Sequence, residues 1–361
     1  MARNKEKKGF RLWKLPLYGI GVLLLAAAGL LLFLSITEYR PKEQEALLLQ
    51  GGTGRSLSAG DSLTLMSWNI GYGALGDNAD FFMDGGKGVI TADKARLESN
   101  LTGIWAEIEA QAPDILLTQE IDRDARRSGH TDQIAYLQQK LNGYTHAYAN
   151  NYKVAFVPYP WPPLGKVDSG MATFSALAVN RAERLQLPIS FSWPVRLANL
   201  KRGLLITRLP VQDSQKELVV INLHLEAYDD GAGKIAQTKM LAEILEREAA
   251  QGHYVVAGGD FNQIFSTADA GRYPAQEGKW AAGQIDVSQI QGDWQFLMDE
   301  NVPSCRSLDQ PYQGADHSGF LYYLIDGFIV SGNLQVDFLG TQDLDFVCSD
   351  HNPVILKITL K

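Results

Sequence analysis

Cysteine is nearly absent: Cys305 and Cys348 are the only two in 361 residues. That excludes a disulfide-dense scaffold and a Cys-rich zinc module, and leaves open one disulfide between the pair. Three catalytic signatures are missing as well. There is no G-x-S-x-G of an acyl hydrolase, no H-E-x-x-H of a zinc protease and no G-x-x-x-x-G-K-[ST] of a P-loop NTPase. Internal repeats and low-complexity tracts are absent, and with 45% apolar and 20% charged residues the composition is globular, not disordered. Positive charge is scarce beyond the N-terminus. The chain carries −8 in total, and its first 36 residues hold six Lys/Arg and one Glu, so the remainder carries −13. Binding nucleic acid non-specifically needs Lys and Arg to replace counterions, which an acidic domain supplies poorly. Local basic loops keep a nuclease reading open.

What is present begins with a basic tail, residues 1–14, "MARNKEKKGFRLWK". A run without charge follows, from Leu15 to Ile36. A bilayer core takes about 20 apolar residues as a helix. The basic flank places the N-terminus in the cytoplasm and the rest outside. A signal peptide has a shorter apolar region, of about 7–15 residues, and a small-residue cleavage site, which "SITEYR" lacks. The expectation is an uncleaved single-pass membrane anchor over residues 15–36. Residues 37–60 read as a linker, with Gly and Ser in the second half and no sustained period.

From Leu63 on, apolar runs alternate with helical stretches. "TADKARLESNLTGIWAEIEAQA" places Leu97, Leu101, Ile104, Trp105 and Ile108 on one face. "HTDQIAYLQQKLNGY" and "KIAQTKMLAEILEREAAQG" are two further helices. Strand candidates are more numerous and come in clusters, among them "LTLMSWNIG", "PDILLTQEI", "ELVVINLHLE", "HYVVAGGDFNQ", "LIDGFIVSG" and "PVILKITL". This pattern predicts an α+β or mixed α/β layered fold, in one domain over residues 61–361.

Several apolar runs end in polar groups of one kind. They carry Asn69, Glu120, Asn222 and His224, Asp260 and Asn262, Asp326, and the pair Asp350 and His351. Any one of these alone is an ordinary turn former. Together they deliver carboxylates, amides and two imidazoles to one sheet edge. Oxygen-rich ligands suit a hard cation such as Mg2+, with Mn2+ as the alternative. The histidines suit acid–base work and phosphate contacts.

The ordered series Asn69, Gln119-Glu120, His224, "GGDFN" (258–262), Asp326 and "SDHNPV" (349–354) resembles the endonuclease/exonuclease/phosphatase (DNase I-like) superfamily from about residue 62 onward. The resemblance implies a four-layer sandwich, two mixed sheets flanked by helices, with the site on loops at one end. It implies that Glu120 is the main metal carboxylate, with Asn69 beside it and Asp350 near the metal. His351 resembles the base, or the group that meets the phosphate, and Asp326 the carboxylate that orients it. Asp260 resembles the group that positions the nucleophile, Asn262 an amide donor to phosphate, and His224 the second phosphate-side histidine. The implied activity is metal-dependent hydrolysis of a phosphate ester, such as a phospholipid headgroup or another small mono- or diester. Nucleic acid is the second substrate class, and an inactive surface-binding protein on the same fold is a reading of a different kind.

Four neighbouring segments carry alternatives. "SGMATFSAL" (169–177) is either a strand near the site or plain core. "RDARRSG" offers Arg123, Arg126 and Arg127 to an anion, or to solvent for at least two of them. "VPYPWPPLG" (157–165) is a lipid- or substrate-facing loop, or a rigid connection. "FFMDGGKG" (81–88) lies in an insertion where the family selects substrates. His130, His146, His253 and His317 have no motif around them and read as structural or surface residues.

Overall fold

Two seven-stranded mixed sheets stack face to face in the computed structural model, which describes residues 15–229 and 231–361. The basic tail expected over residues 1–14 lies outside the described residues. The first sheet runs Gln44–Leu47, Arg181–Gln186, Gly203–Pro210, Glu217–His224, Tyr254–Asp260, Asp326–Ser331, Trp294–Leu297. The second runs Leu334–Thr341, Val354–Leu360, Ser62–Asn69, Ile115–Asp122, Gly165–Ser175, Thr145–Val157, Gln50–Gly51. Helix α1 spans Leu15–Ile36, α2 Lys94–Gln111, α3 Gln133–Lys140 and α4 Ala232–Ala250.

The central strands are apolar on both faces because both faces are covered. Leu65, Ile115, Leu117, Val220, Val256, Phe328 and Leu356 fill the space between the sheets. Val255, Ala257 and Ile221 face the other way, onto Leu241 and Leu245 of α4. On the far side Met66, Trp68 and Leu116 meet Leu97, Leu101, Ile104 and Ile108 of α2 and Ile134 and Leu137 of α3. The result is the expected four layers. Asp93 and Asp132 cap α2 and α3 by accepting the Arg96 and Ala135 amide N–H groups. At Gly258 there is no room for a side chain, because a Cβ would overlap the ring of its cross-strand partner Phe328.

The expected linker is different. Gln44–Leu47 adds an edge strand to the first sheet, and Gln50–Gly51 adds one to the second. Arg55 then bridges to Leu177 and Leu57 to Val211. Leu57 is fully buried between the sheets. A segment without its own period is ordered because it borrows backbone partners from two sheet edges. Helix α1 is long and apolar enough to cross a membrane, with mean hydropathy 2.6 over Pro16–Ile36, and only 6% of it is buried.

Both cysteines are free. Cys348 packs against Gly103 of α2, where a Cβ would overlap its Sγ. A soluble fragment starting at residue 60 loses Leu57 and both added edge strands. Burying one Leu contributes about 1.5–3 kcal/mol. We expect residues 37–361 to exceed residues 60–361 in unfolding free energy by at least about 2 kcal/mol, measured by urea denaturation of the two fragments. Equal stabilities would show that the segment is an appendage.

Candidate active site

Sheet register builds the first part of the site. Asp260 ends its strand with His224 as its parallel partner on one side and Asp326 as its antiparallel partner on the other. Three polar residues therefore stand abreast on adjacent strands. Glu120 arrives from the second sheet through a β-bulge, where the pairing skips between Gln119 and Ile121. Its φ is +50°, and Asn262, just past Asp260, has +52°. Such backbone costs about 1–3 kcal/mol per residue and persists where the surroundings impose it. Bulges re-aim side chains, and this one puts Glu120 on the wall of a cavity of about 580 Å3.

The turn 349–352 supplies the rest. Ser349 Oγ donates to the Asn69 carbonyl at 2.8 Å and accepts from the His351 N–H at 3.2 Å. The Trp68 indole N–H donates to the His351 carbonyl at 2.8 Å. On the other side Arg306 N–H donates to the Asp350 carbonyl, and Asn352 N–H to the Ser304 carbonyl. Ser304 Oγ also accepts from the Ile325 and Asp326 N–H groups, both at 3.0 Å. The two residues on either side of Cys305 thus clamp the turn to the start of the Asp326 strand. Backbone contacts leave the His351 ring one well-defined place.

All eight residues expected at the site come together. Glu120, His224, Asp260, Asn262, Asp350 and His351 line the cavity. Asp326 and Asn69 stand behind them. His351 Nδ1 is 2.8 Å from Asp326 Oδ2, and its Nε2 is 4.0 Å from Asp350 Oδ2. Asn69 Nδ2 donates to Asp260 Oδ2 at 3.0 Å, and Asn69 Oδ1 accepts from Gly71 N–H. His224 Nε2 lies 3.3 Å from Asp260 Oδ2 and 4.0 Å from Glu120 Oε1. Asn262 Nδ2 donates one proton to the Leu225 carbonyl. The ligand atoms of Asp260, Asp326 and His351 lie within 4.8 Å of one another, as do those of Cys305, Asp350 and His351. Asn222 is below the floor, where Gln119 Nε2 donates to its Oδ1 at 2.8 Å across the sheets.

The electrostatics divide the two histidines. Burial opposes charge on His351, but Asp326, Cys305 and Asp350 outweigh it and hold its pKa well above the ordinary value. Burial, Arg202 and His351 push His224 well below it. The surroundings thus favour charge on His351 and disfavour it on His224. Burial and the nearby Asp326 raise the Asp260 pKa. Burial, with Glu120 adding to it, pushes Asp350 up to about 6. Burial also pushes the Cys305 thiol up to about 12, which favours the neutral thiol and disfavours it as a nucleophile.

The sequence reading left Arg127 undecided among three arginines. Its guanidinium lies on the cavity wall, 3.6 Å above the Tyr72 ring, and donates to both Asp122 oxygens at 2.9 and 3.2 Å and to Ser169 Oγ at 3.1 Å. Arg123 and Arg126 lie elsewhere, over Tyr148 and on the Pro163 carbonyl. "SGMATFSAL" is therefore a site strand through Ser169. "FFMDGGKG" reaches the cavity through Asp84, which accepts from the Tyr228 hydroxyl at 3.1 Å, and burial raises the Asp84 pKa to about 7. Missed altogether were the Arg202–Glu226 ion pair on the wall and the Ser304-Cys305-Arg306 clamp. A Glu two residues beyond His224 was the one signal for the pair; the clamp left none. His130, His146, His253 and His317 stay out of the site.

The Endonuclease/Exonuclease/phosphatase family model matches residues 66–351. No curated protein matches the chain. Among solved structures, an endonuclease/exonuclease/phosphatase from Beutenbergia cavernae DSM 12333 aligns with TM-score 0.55 and 18% identity, over 83% of this chain and 72% of that one. D. rerio TDP2, complexed with single strand DNA product, aligns at 0.51 and 14%, over 83% and 99%. The human Nocturnin catalytic domain with bound sulfate anion aligns at 0.50 and 18%, over 87% and 98%. At such identities these likenesses show the fold. The family match and the fold agree: the chain belongs to the endonuclease/exonuclease/phosphatase family, whose members hydrolyse phosphate esters.

Proposed function

We propose that this chain is a membrane-anchored, metal-dependent phosphoesterase, with α1 crossing the bilayer, its basic tail cytoplasmic and the domain outside. One observation carries the chemistry: His224 and Asp260 of the abreast row, and His351, held from behind by Asp326, line the same cavity as Glu120 and Asp350.

The donor set fits a hard divalent cation. Glu120 and Asp350 would hold it, with Asn69 in support, and the sulfur of Cys305 is too soft to be preferred by such an ion. Glu120 adds to the cost of ionising Asp350, and a cation held between them relieves that cost. Mg2+ fits these oxygens, and Mn2+ can replace it. When bound, the cation supplies Lewis-acid polarisation of a phosphoryl oxygen.

The chain's own groups do the remainder. Asp260, its pKa raised toward neutrality, orients the attacking water and accepts its proton. The water oxygen forms the new P–O bond as the ester oxygen leaves on the opposite side. His351, held as a cation by Asp326, donates from Nε2 to a non-bridging oxygen where charge builds up. The second Asn262 amide proton does the same. Neutral His224 fixes Asp260 from the side. Every group is present, which disfavours an inactive binding protein.

The substrate is a phospholipid headgroup or small phosphate ester. The solved D. rerio TDP2 holds a DNA product, so a nuclease is the second reading. Here the cavity cations are already paired: Arg127 with Asp122, Arg202 with Glu226, Lys279 with Asp309. Arg306 is spent on the Gly76 and Ser307 carbonyls. Few positive charges remain to replace counterions along a polynucleotide.

Residues 37–361 should hydrolyse bis-p-nitrophenyl phosphate with Mg2+ and lose the activity in EDTA. His351→Ala should lower kcat by about 10²–10⁴-fold. Activity indifferent to both changes would sink the reading. Asp326→Asn should shift the alkaline limb of the pH–rate profile to lower pH, since His351 acts as a cation and Asp326 raises its pKa; an unmoved limb would detach Asp326 from His351.

A third expectation concerns stability. The folded pKa of Asp350 is raised, so its contribution is complete below the ordinary carboxylate pKa and is lost as pH rises through about 6. Mg2+ binds the ionised form. The Mg2+-induced rise in Tm should therefore be larger at pH 8 than at pH 5, and Asp350→Asn should remove most of that difference. A pH-independent rise would place the cation elsewhere.

A further inference from the structure

The cavity has two ends of opposite character. One is the catalytic end. The other is lined by Leu30, Leu31 and Leu34, which belong to α1, together with Phe82 and Tyr159. The candidate membrane span is thus itself a wall of the active site.

Its placement there is built in. Leu34 is buried among Val154, Val157, Leu164, Val167 and Leu197, whereas Leu23, Leu24 and Leu25, two to three turns earlier, are 65–75% exposed. Glu38, just past the helix, meets Arg196 Nε at 3.2 Å and Lys201 Nζ at 3.6 Å. That carboxylate is itself almost inaccessible, so the clamp is screened from solvent. The two loops that grip the helix end carry the most exposed aromatics of the domain: Trp161 at 90%, Tyr159 at 65% and Trp193 at 55%. Val195 and Met83 are exposed alongside. Trp and Tyr favour the membrane–water interface, and a group of this kind on a soluble face marks a contact surface.

Depth agrees with this placement. Leu30 lies six residues before the end of α1, about 9 Å along the axis at 1.5 Å per residue. Interfacial regions are roughly 5–8 Å thick on each side of the hydrocarbon. If α1 spans the bilayer, the apolar end of the cavity meets acyl chains while the catalytic end stays at headgroup level. A water-borne nucleotide or sugar phosphate would leave the leucine wall wet.

We infer that the substrate is a lipid-borne phosphate ester taken directly from the outer leaflet, its chain lying against Leu30, Leu31 and Leu34 and its phosphate between Glu120 and His351. This rests on the phosphoesterase reading above and adds the substrate class and its route of entry. "VPYPWPPLG" then takes the lipid-facing of its alternatives.

The test uses the full chain in phosphatidylcholine vesicles with Mg2+. Two esters with the same leaving group are compared: hexadecyl p-nitrophenyl phosphate, which enters the bilayer, and methyl p-nitrophenyl phosphate, which stays in water. The hexadecyl ester should have a kcat/KM at least 100-fold higher. Leu31→Trp, which fills the apolar end, should cut that preference at least tenfold. A separate arm uses phosphatidylcholine with a diazirine on its acyl chain. It should label residues 81–84 and 157–164 as well as α1. Equal rates on both esters, or a preference that Leu31→Trp leaves intact, would overturn the lipid route while sparing the phosphoesterase. Labelling confined to α1 would overturn it too. Hydrolysis of neither ester, with cavity labelling present, would overturn the phosphoesterase reading and uphold the lipid-lined cavity.

Discussion

Crowding of like charge in a water-poor mouth is the constraint on which this structure depends. Glu120, Asp260, Asp326 and Asp350 converge there, and three of the four are buried. In low dielectric like charges repel, and burial with these neighbours raises the pKa of Asp260 and of Asp350. The fold answers with positive charge at fixed points. Asp326 favours the cationic form of His351 against the cost of burial. Arg127 is held charged against burial by Asp122 and Tyr72. What these leave unbalanced lies at Glu120 and Asp350, the pair proposed to hold the cation. On the proposed reading, metal site and phosphate site are one electrostatic object.

The sandwich is the means of holding that object rigid. Asp260 cannot move without its neighbours in register, His224 and Asp326. Gly258, two residues earlier, leaves room for the ring of Phe328, its partner on the next strand. The Gln119–Asn222 bond ties the floor of one sheet to the other. Such support keeps donors within the tolerances that transition-state stabilisation demands.

The layered fold was legible in the sequence because both periods were clean. The α2 face Leu97, Leu101, Ile104, Ile108 and runs such as "VVAGGD" leave little choice of partner. The site residues were legible because each ended such a run. What escaped notice depended on partners distant in sequence. Residues 44–57 have no pattern of their own, since their order comes from two sheet edges. Arg127 looked like its neighbours Arg123 and Arg126 until Asp122 and Tyr72 surrounded it. Ser304 and Arg306 act through backbone and hydroxyl contacts that any small polar segment could make. Leu30 and Leu31 were read as membrane residues, and nothing in a uniform apolar run marks which side faces a cavity.

That last case shows how anchor and enzyme are joined. A span connected by a loose linker would only raise local concentration, leaving the domain free to face any direction. Here the residues after the span enter both sheets, and Glu38 clamps the helix end beside the cavity. Tethering therefore becomes orientation. With α1 normal to a bilayer, the catalytic end has one height above it and one direction of approach. An acidic domain would drift from an anionic surface, and the clamp removes that freedom. On the membrane-anchored reading proposed above, the same contacts that order an otherwise featureless segment would hold the catalytic groups at the level of the lipid headgroups.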